Sequence, residues 1–582
     1  MDWDLSVLYK SFEDAKFQKD MASLEPMIKA LDETINSELD ELVLLETAVT
    51  QLTQLVDLFT QLMCYTQLTL SVEAQNEAAA KAYDKLMQPY MALQQTVSAF
   101  SRHLGTVDHL EELIGRSLIL KANDFMLRTR KLEAAHLIDP AIEPWFLQLS
   151  LSGGEAFSQL RDKLDATHTV QLNGEDIPLS AARGKAYDPD AAVRKAAYEA
   201  EIASYVKISL PMSYCLNSIK AEAATLSKAK KFDAILDMTL FDSNMDRETL
   251  DAMWTAIREY LPDFRRYLRA KANYLGHKDG LPFYDLFAPV GKSEKVYTIE
   301  EALDILVTAF DKFNPDMSAF IKNAFEEGWI DMYPKKGKGG GAFCAGIHHL
   351  GISRILSNFT GSFSDVSTLA HELGHAWHNH CMKGLPTLMA EYPMPLAETA
   401  SIFNETMLTH QTLTNADADF AFALLESELM EATQTVVDIY SRYLFETEVI
   451  ETRKDHTMSV DELKAIMLRA QDASYGDGLD KEIRHPYMWA CKSHYYRMDV
   501  NFYNFPYAFG LLFGKGVFAQ YLKKGAAFVP EYNRLLSICG SDTIANVAAS
   551  VGIDVRNPDF WRSSLAVVKE GIDRFVELCE KQ

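Results

Sequence analysis

Apolar residues recur every three or four positions from Leu24 to about Leu104, with Glu, Gln, Asp and Lys between them. The run Glu38–Leu45 is one example of this spacing, which gathers apolar side chains on one face of an α-helix. Pro and Gly are sparse in the stretch, and this favours long elements. The pattern predicts a hairpin of long helices. Because helical periodicity also dominates the rest of the chain, it predicts a mainly α protein.

Strand patterns are few. Residues Thr167–Leu179 alternate around Asn173 and Gly174, a dipeptide typical of the two-residue turn of a β-hairpin. The segment Ile352–Phe359 alternates weakly and is rich in Ile, Leu and Phe. We expect it to form a small β element, an edge strand that could pair with the extended backbone of a bound peptide. Pairing of this kind gives an affinity that tolerates many peptide sequences.

The length of the chain predicts more than one domain, because 582 residues exceed what a single hydrophobic core usually holds. Asp188, Pro189 and Asp190 have the composition of a helix start, with Pro near the first turn and acid at the positive end of the helix dipole. We therefore expect an N-terminal helical lobe over residues 1–190 and a second domain over residues 191–582.

Charge and cysteine content narrow the expected partners and compartment. The formal net charge is −25, so phosphate backbones and anionic lipids should repel the protein, and we expect no nucleic-acid or membrane partner. No stretch approaches about 20 uninterrupted apolar residues, and no membrane span is predicted. The 7 cysteines include no CxxC pair, which fits a reducing compartment. The N-terminus lacks the basic start and apolar core of a secretory signal, so the expected location is the cytoplasm.

The chemistry of the chain centres on a His-Glu-x-x-His motif formed by His371, Glu372 and His375. On a helix, the two histidines lie one turn apart on one face, where two imidazoles can hold one tetrahedral Zn²⁺. Glu372 lies between them and can act as general base toward a water that zinc makes more acidic. Asp365 is expected to cap the start of the helix. The motif predicts a catalytic zinc site.

His378 is an obvious candidate for the third protein ligand, but helix geometry argues against it. It lies at i+7 from His371, most of a turn beyond a metal held between His371 and His375. Reaching back to that metal would require a break in the helix. A third ligand is therefore expected from another part of the chain.

Acidic residues after the motif helix offer such a ligand. A second apolar run begins near Pro393, and an antiparallel helix there could bring Glu398 to the metal. Glu391 remains the rival ligand. Glu405 lies two turns beyond Glu398 and could accept the free ring N–H of a zinc-bound histidine. Two histidines and one carboxylate leave the fourth position open, which is a catalytic arrangement rather than a structural one.

A basic, glycine-rich loop, Lys335–Gly341, precedes the motif helix. Its glycines give the backbone unusual freedom. Two interpretations stay open: the loop is a plain surface turn, or it is a mobile rim of the active site.

The segment His371–His378, followed by Glu398, Ser401 and Glu405, resembles the oligoendopeptidase F branch of the thimet-oligopeptidase-like zinc metallopeptidases. Further stretches agree with that family. They are Gly341–Cys344, Asn358–Val366, Trp489–Tyr496 and the aromatic run Phe502–Phe509. The resemblance extends roughly from Tyr187 to the C-terminus, whereas the N-terminal lobe agrees only in helical character.

The resemblance implies a large, mainly α, two-lobed metallopeptidase with a deep central channel and a small β element beside the zinc helix. Short, unstructured oligopeptides would enter the channel and folded proteins would be excluded. Residues 191–582 would form the catalytic domain. One Zn²⁺ per chain would be bound by His371, His375 and Glu398, with Glu372 as the base.

The resemblance also implies that a His and a Tyr from the C-terminal region stabilise the tetrahedral intermediate. His494 matches that His by position. Tyr503 and Tyr507 compete for the second role, with Tyr496 behind them, because the sequence between them departs from the family's more regular tyrosine pattern. Such donors are needed because negative charge grows on the carbonyl oxygen as water attacks the peptide bond.

The predicted function is a zinc-dependent endopeptidase that hydrolyses internal bonds of oligopeptides. An alternative is a zinc carboxypeptidase or dipeptidyl-carboxypeptidase of similar fold. It would need a cation for the C-terminal carboxylate of the substrate, and the sequence does not identify one. A non-catalytic peptide-binding protein is disfavoured because it would have no use for Glu372 beside an intact set of ligands. The sequence leaves the oligomeric state unknown.

Overall fold

Three long helices, rather than two, form from the amphipathic pattern at the start of the chain. Each begins at an Asp or Asn whose side chain accepts a hydrogen bond from a backbone N–H of the first turn, a common way to start a helix. The helices pack against one another pairwise and enclose a core of Leu, Ile, Val and Phe. They are α1 (Ala15–Ile35), α2 (Glu41–Val72) and α3 (Glu77–Thr106).

Helix α2 is long and apolar enough to cross a membrane, by length and composition alone. Its apolar residues, among them Leu45, Leu52 and Leu62, are buried against α1 and α3. A helix in the core of a soluble protein passes the same test of length and composition. The most apolar 18-residue window of α2 is 39% buried within the structure.

The structure is a computed structural model that describes residues 2–291 and 295–581. The chain packs as two compact units, each assembled from three segments. The first unit comprises Met1–Leu137, Lys295–Gln411 and Gln520–Gly552, and the second comprises Ile138–Glu294, Thr412–Ala519 and Ile553–Gln582. The predicted division into residues 1–190 and 191–582 stays a prediction.

The first unit is mostly helical. Beyond α1–α3, its helices and those that it shares in part are α4 (Leu110–Arg116), α5 (Leu118–Ala122), α6 (Asp124–Ala134), α14 (Ile299–Asp311), α15 (Pro315–Glu326), α16 (Phe363–Met382), α17 (Met394–Ala397), α18 (Thr399–Asn415), α24 (Val529–Ser537) and α25 (Ile544–Ala549).

A three-stranded sheet in the first unit corrects one expectation. Its strands are β3 (Ile330–Asp331), β4 (Phe343–Ile347) and β5 (Ile352–Leu356), in the order β3-β5-β4. The prediction that Ile352–Phe359 forms an edge strand is wrong, because β5 bonds to β4 on one side and to β3 on the other. Residues 353–356 are buried, so their weak alternation reflects a central strand. On the β3 side, strand pairing and further backbone hydrogen bonds cover residues 355–359.

The second unit is also mostly helical. Its helices and those that it shares in part are α7 (Glu143–Ser152), α8 (Gly154–Thr167), α9 (Leu179–Gly184), α10 (Ala191–Ser204), α11 (Ser209–Ala229), α12 (Ile235–Asp242), α13 (Arg247–Tyr274), α19 (Ala418–Thr433), α20 (Ile439–Arg453), α21 (Val460–Tyr475), α22 (Met488–Cys491), α23 (Phe505–Lys524) and α26 (Pro558–Lys581). A five-residue π-helical turn, Gln434–Asp438, joins α19 to α20.

The predicted β-hairpin is confirmed in the second unit. Strands β1 (Thr169–Leu172) and β2 (Glu175–Pro178) pair antiparallel around a two-residue turn. Asn173 and Gly174 adopt positive φ angles of 53° and 88°, as the tight hairpin turn requires. Helices dominate both units and the sheets are small, so the predicted mainly α fold class is also confirmed.

Candidate metal centre

Helix α16 carries the His-Glu-x-x-His motif and begins with a reciprocal pair of hydrogen bonds. The Asp365 backbone N–H donates to Ser362 Oγ at 3.1 Å, and the Ser362 N–H donates to the Asp365 carboxylate at 3.0 Å. Asp365 was expected to be the capping residue, and the structure places it three residues inside, with Ser362 as the cap. This capping box fixes the first turn of the helix that presents the histidines.

Three nitrogen and oxygen atoms in the first unit converge on one point. His371 Nε2 lies 3.1 Å from His375 Nε2, and Glu398 Oε2 lies 3.3 Å from the first nitrogen and 3.4 Å from the second. For bonds of about 2.0–2.1 Å, the corners of a tetrahedron lie about 3.3–3.4 Å apart. The spacing and the donor types fit one tetrahedral Zn²⁺ with a fourth corner left for water or substrate.

The close approach of two backbone segments brings Glu398 to the histidines. Glu398 is the single residue between α17 and α18, so its side chain leaves the chain at a break between helices. A Cβ atom on Gly374 of α16 would lie 2.7 Å from the carbonyl oxygen of Ala400. Asn404 Nδ2 also donates to the Ala370 carbonyl at 3.0 Å. Glycine at position 374 therefore permits the contact that places the carboxylate.

The acidity of Glu398 favours a carboxylate ligand. Burial would raise the pKa of this carboxyl, but His375, His371 and the Ser401 hydroxyl outweigh burial and hold the pKa at about 2. Ser401 Oγ donates to Glu398 Oε2 at 2.7 Å and so also orients the group. Glu398 is ionised at neutral pH, as a metal ligand must be.

Glu405 lies behind His371. Its Oε1 is 2.7 Å from His371 Nδ1, so the Nδ1–H group donates to this carboxylate. The other ring nitrogen, Nε2, faces Glu398. Burial lowers the pKa of His371, but the hydrogen bond and charge of Glu405, with Glu398 and Glu372, raise it to about 9. A carboxylate behind a ligating histidine fixes the ring's orientation and makes the ligand nitrogen more basic.

Glu372 has the features of a general base. The residue is 5% exposed, and its Oε2 is buried without a hydrogen-bond partner among the described residues. Burial raises the pKa of this carboxyl above its usual range, while the two neighbouring histidines oppose the shift. A buried, unpartnered carboxylate is costly for stability alone, and its place beside three candidate ligand atoms suits proton transfer.

A cavity of about 720 Å³ opens over this cluster and lies within the first unit. Strand β4 and helices α2 and α16 contribute to its wall, and Ala342 lines it directly after the predicted basic loop. The loop itself is bound to its surroundings: the Lys338 ammonium contacts the Asp331 carboxylate at 2.7 Å, and the Gly339 N–H donates to the Ser71 carbonyl at 2.7 Å. The volume falls in the range of small-molecule and peptide sites.

Two cavity residues, Cys344 and Tyr392, had no role in the sequence-based site. The Tyr392 ring stacks on His378 at a centroid distance of 4.4 Å and an angle of 9°. Tyr392 precedes a proline between two helices, and nothing in the sequence predicted that its ring would stack on His378. His378 is fully buried, and burial lowers its pKa to about 3. It lies outside the three-atom cluster, as helix pitch predicted, and so does the exposed rival ligand Glu391.

The residues predicted to stabilise the oxyanion lie together in the second unit. The ring centroids of His494 and Tyr503 are 5.0 Å apart, those of His494 and Tyr507 are 6.0 Å apart, and those of the two tyrosines are 5.7 Å apart. Burial, with the positive charge of Arg442, lowers the pKa of His494. Tyr496 is fully buried behind them. His494 is therefore neutral at pH 7 and offers a ring N–H without a charge.

Comparison with known proteins identifies a family and several relatives of this chain. The profile of peptidase family M3 matches residues 185–567. Oligoendopeptidase F homolog from Lactococcus lactis subsp. lactis is 22% identical over 597 residues, covering 100% of this chain and 98% of that protein. Oligopeptidase PepF from Bacillus subtilis is 25% identical over 395 residues, covering 67% of this chain and 58% of that protein.

Solved structures share the fold. The oligoendopeptidase-F from Enterococcus faecium superposes with a TM-score of 0.72 at 17% identity, over 97% of this chain and 99% of that chain. A protein from Chlamydophila abortus gives a TM-score of 0.86 at 22% identity, over 99% and 98% of the two chains.

Proposed function

The chain belongs to peptidase family M3, on its oligoendopeptidase F branch, and from this premise we propose a zinc-dependent endopeptidase that hydrolyses internal bonds of short, unstructured oligopeptides. One observation carries the proposal. Three ligand atoms lie 3.1–3.4 Å apart beside the unpartnered Glu372 carboxylate oxygen, in a cavity of about 720 Å³. A structural zinc site would have no need of the cavity or of the free carboxylate.

The site residues of the first unit have separate chemical roles. His371, His375 and Glu398 would hold one Zn²⁺, which when bound makes a water acidic and polarises a carbonyl. Glu372 accepts the proton of the attacking water at its free oxygen, and its raised pKa lets it pass that proton to the leaving amine. Glu405 holds the His371 ring so that Nε2 faces the metal.

The oxyanion donors are proposed from the resemblance to the family. His494 and either Tyr503 or Tyr507 would donate to the carbonyl oxygen as its negative charge grows. Loss of one such donor commonly slows turnover by about a hundredfold or more. Replacement of each tyrosine by Phe, with kcat measured separately from KM, would identify the hydroxyl, because only the donor's loss should lower kcat.

Metal removal and a single substitution test the proposal. A chelator should abolish peptide cleavage and added Zn²⁺ should restore it. Glu372→Gln should retain zinc but lose turnover. Retained cleavage by this variant would show that another group is the base.

Product mapping separates endopeptidase from carboxypeptidase activity. A peptide with an amidated C-terminus should be cut internally at the same bonds as its free-acid form, because an endopeptidase does not need the terminal carboxylate. Cleavage of the free acid only, with release of one or two C-terminal residues, would favour the carboxypeptidase alternative. The absence of nucleic-acid and membrane partners and a cytoplasmic location stay predictions from charge and sequence.

A further inference from the structure

A second cavity, of about 430 Å³, lies within the second unit. It is formed by α9, α10, the segment around Phe283 and the chain near His485 and Lys492. Its volume falls in the usual range of ligand pockets, about 300–1,000 Å³. Aromatic rings line much of the wall: Tyr187, Tyr198, Phe283, Tyr284 and Phe287. Such a wall suits the flat or apolar part of a ligand.

The charged groups of this cavity are unbalanced toward positive charge. Arg183, Arg194 and Lys492 line it, and Glu201 is the one carboxylate among its described lining residues. Arg194 is committed elsewhere, since its Nε donates to Asp285 at 2.7 Å and its Nη1 donates to two backbone carbonyls. Arg183 lies beside Glu201, so the unbalanced positive charge among the lining residues is that of Lys492.

Both of these cations have N–H groups that could donate to a ligand. Within the described chain, the Lys492 ammonium makes no hydrogen bond or ion pair. Burial, with repulsion from Arg442, lowers its pKa to about 8, although the charge of Asp438 opposes the shift. The Arg183 guanidinium pairs with Glu201 through Nε at 3.3 Å, and its side chain is 34% exposed, so its terminal nitrogens are accessible. His485 Nδ1 is a further buried polar atom without a partner there. Cationic donors that are accessible at a cavity wall can donate charge-assisted hydrogen bonds to an anionic ligand.

The same charges argue against a metal ion. Glu201, His485 and Cys491 place three potential ligand atoms within 4.8 Å of one another. The Tyr205 hydroxyl, however, already bridges Glu201 Oε1 and Cys491 Sγ at 2.8 Å each. Arg183 lies 3.3 Å from the same carboxylate oxygen, so an added cation would meet an existing positive charge. The electrostatics favour an anion.

We propose that this cavity binds a carboxylate attached to an apolar or aromatic group, such as the C-terminal residue of a peptide. Lys492 and Arg183 would hold the carboxylate, because a planar guanidinium and an ammonium both donate charge-assisted hydrogen bonds to it. The aromatic wall would contact the side chain. The site is separate in its residues from the metal centre and does not depend on peptidase activity.

Calorimetric titration of the full-length, zinc-loaded protein with N-acetyl-phenylalanine tests the proposal. The matched probes are N-acetyl-phenylalaninamide, which lacks the carboxylate, and inorganic phosphate, which lacks the apolar group. The acid should bind at least about tenfold more tightly than the amide, as expected for loss of a charge-assisted hydrogen bond. Equal binding of acid and amide, or binding of phosphate alone, would overturn the proposal.

Variants assign the binding to this cavity rather than to the metal centre. Lys492→Gln should remove the preference for the acid and Lys492→Arg should keep it. Lys195→Gln, a control on the exposed face of α10, should behave as the wild type. An unchanged preference in Lys492→Gln would refute the assignment. If that variant fails to fold, the wild-type preference for acid should persist after zinc is removed by a chelator, and its loss on chelation would place the binding at the metal centre.

Discussion

Replacing Glu405 with Gln should weaken zinc binding by roughly tenfold to a hundredfold, the usual result of losing a carboxylate behind a ligating histidine. Glu405 Oε1 lies 2.7 Å from His371 Nδ1, and this contact leaves Nε2 free for the metal. Glutamine keeps the length of the side chain and can still accept a hydrogen bond. The substitution therefore removes the charge while largely preserving the shape of the site.

The size of this loss of zinc affinity depends on pH, because protons compete with zinc for His371. Burial lowers the pKa of the metal-free ring, but Glu405 and the other nearby carboxylates raise it to about 9. Releasing that proton at pH 7 costs about 2.7 kcal/mol, from about 1.36 kcal/mol for each of two pH units. In the Glu405→Gln variant, His371 holds its proton less tightly. Part of the variant's loss of zinc affinity is therefore offset at pH 7. At pH 9 we expect the full loss of about 1.4–2.7 kcal/mol.

Competition with a chromophoric zinc chelator measures the loss of zinc affinity at pH 7 and at pH 9. Glu391→Gln is the matched control, because Glu391 lines the same cavity but is not one of the clustered ligand residues. It should bind zinc as tightly as the wild type. Equal zinc affinity of Glu405→Gln and wild type at pH 9, or a greater loss at pH 7 than at pH 9, would refute the reasoning.

Three further predictions concern the same unit. Glu372→Gln should keep one zinc per chain while kcat falls by at least about a hundredfold, and loss of zinc from this variant would contradict its role as base alone. Gly374→Ala should lower the free energy of unfolding by about 1–3 kcal/mol, because the new methyl group meets the Ala400 carbonyl; an unchanged melting temperature would show that the backbones can separate at no cost. The metal-free protein should lose stability as pH rises from 6.5 to about 8, because the raised pKa of His371 stabilises the fold below 6.5 and that contribution is lost as the ring deprotonates; above 8 the lowered pKa of Lys492 acts in the opposite direction. Thermal unfolding across this range should show the decline without zinc, and a rise in stability would contradict the assigned shift.

The grouping of His371, His375 and Glu398 could be predicted from the sequence because each part has a local signal. The spacing of His371 and His375 places both rings on one helical face whatever the rest of the chain does. Glu398 followed from helix pitch and from the run after Pro393. Even so, its position between two helices rather than inside one depends on packing against Gly374, a tertiary contact that local sequence does not specify.

Features that depend on long-range pairing were predicted poorly. The segment Ile352–Leu356 carries a strand pattern, and β4 lies directly before it in the chain. Its other neighbour, β3, is a two-residue strand that precedes both, so pattern alone did not reveal that the segment is central. Tyr392 and Lys492 also gave no signal, since each acquires its significance from a cavity formed by distant segments. Local propensity predicts helices and turns, whereas sheet order and cavity walls require the tertiary structure.

Zinc K-edge X-ray absorption on the zinc-loaded protein tests the central claim most directly. Coordination by His371, His375 and Glu398 predicts nitrogen and oxygen neighbours only, at about 2.0–2.2 Å, with multiple scattering from two imidazoles. A sulfur neighbour at about 2.3 Å would place the metal at a cysteine, such as Cys491 in the other cluster of potential ligands, and would contradict the account.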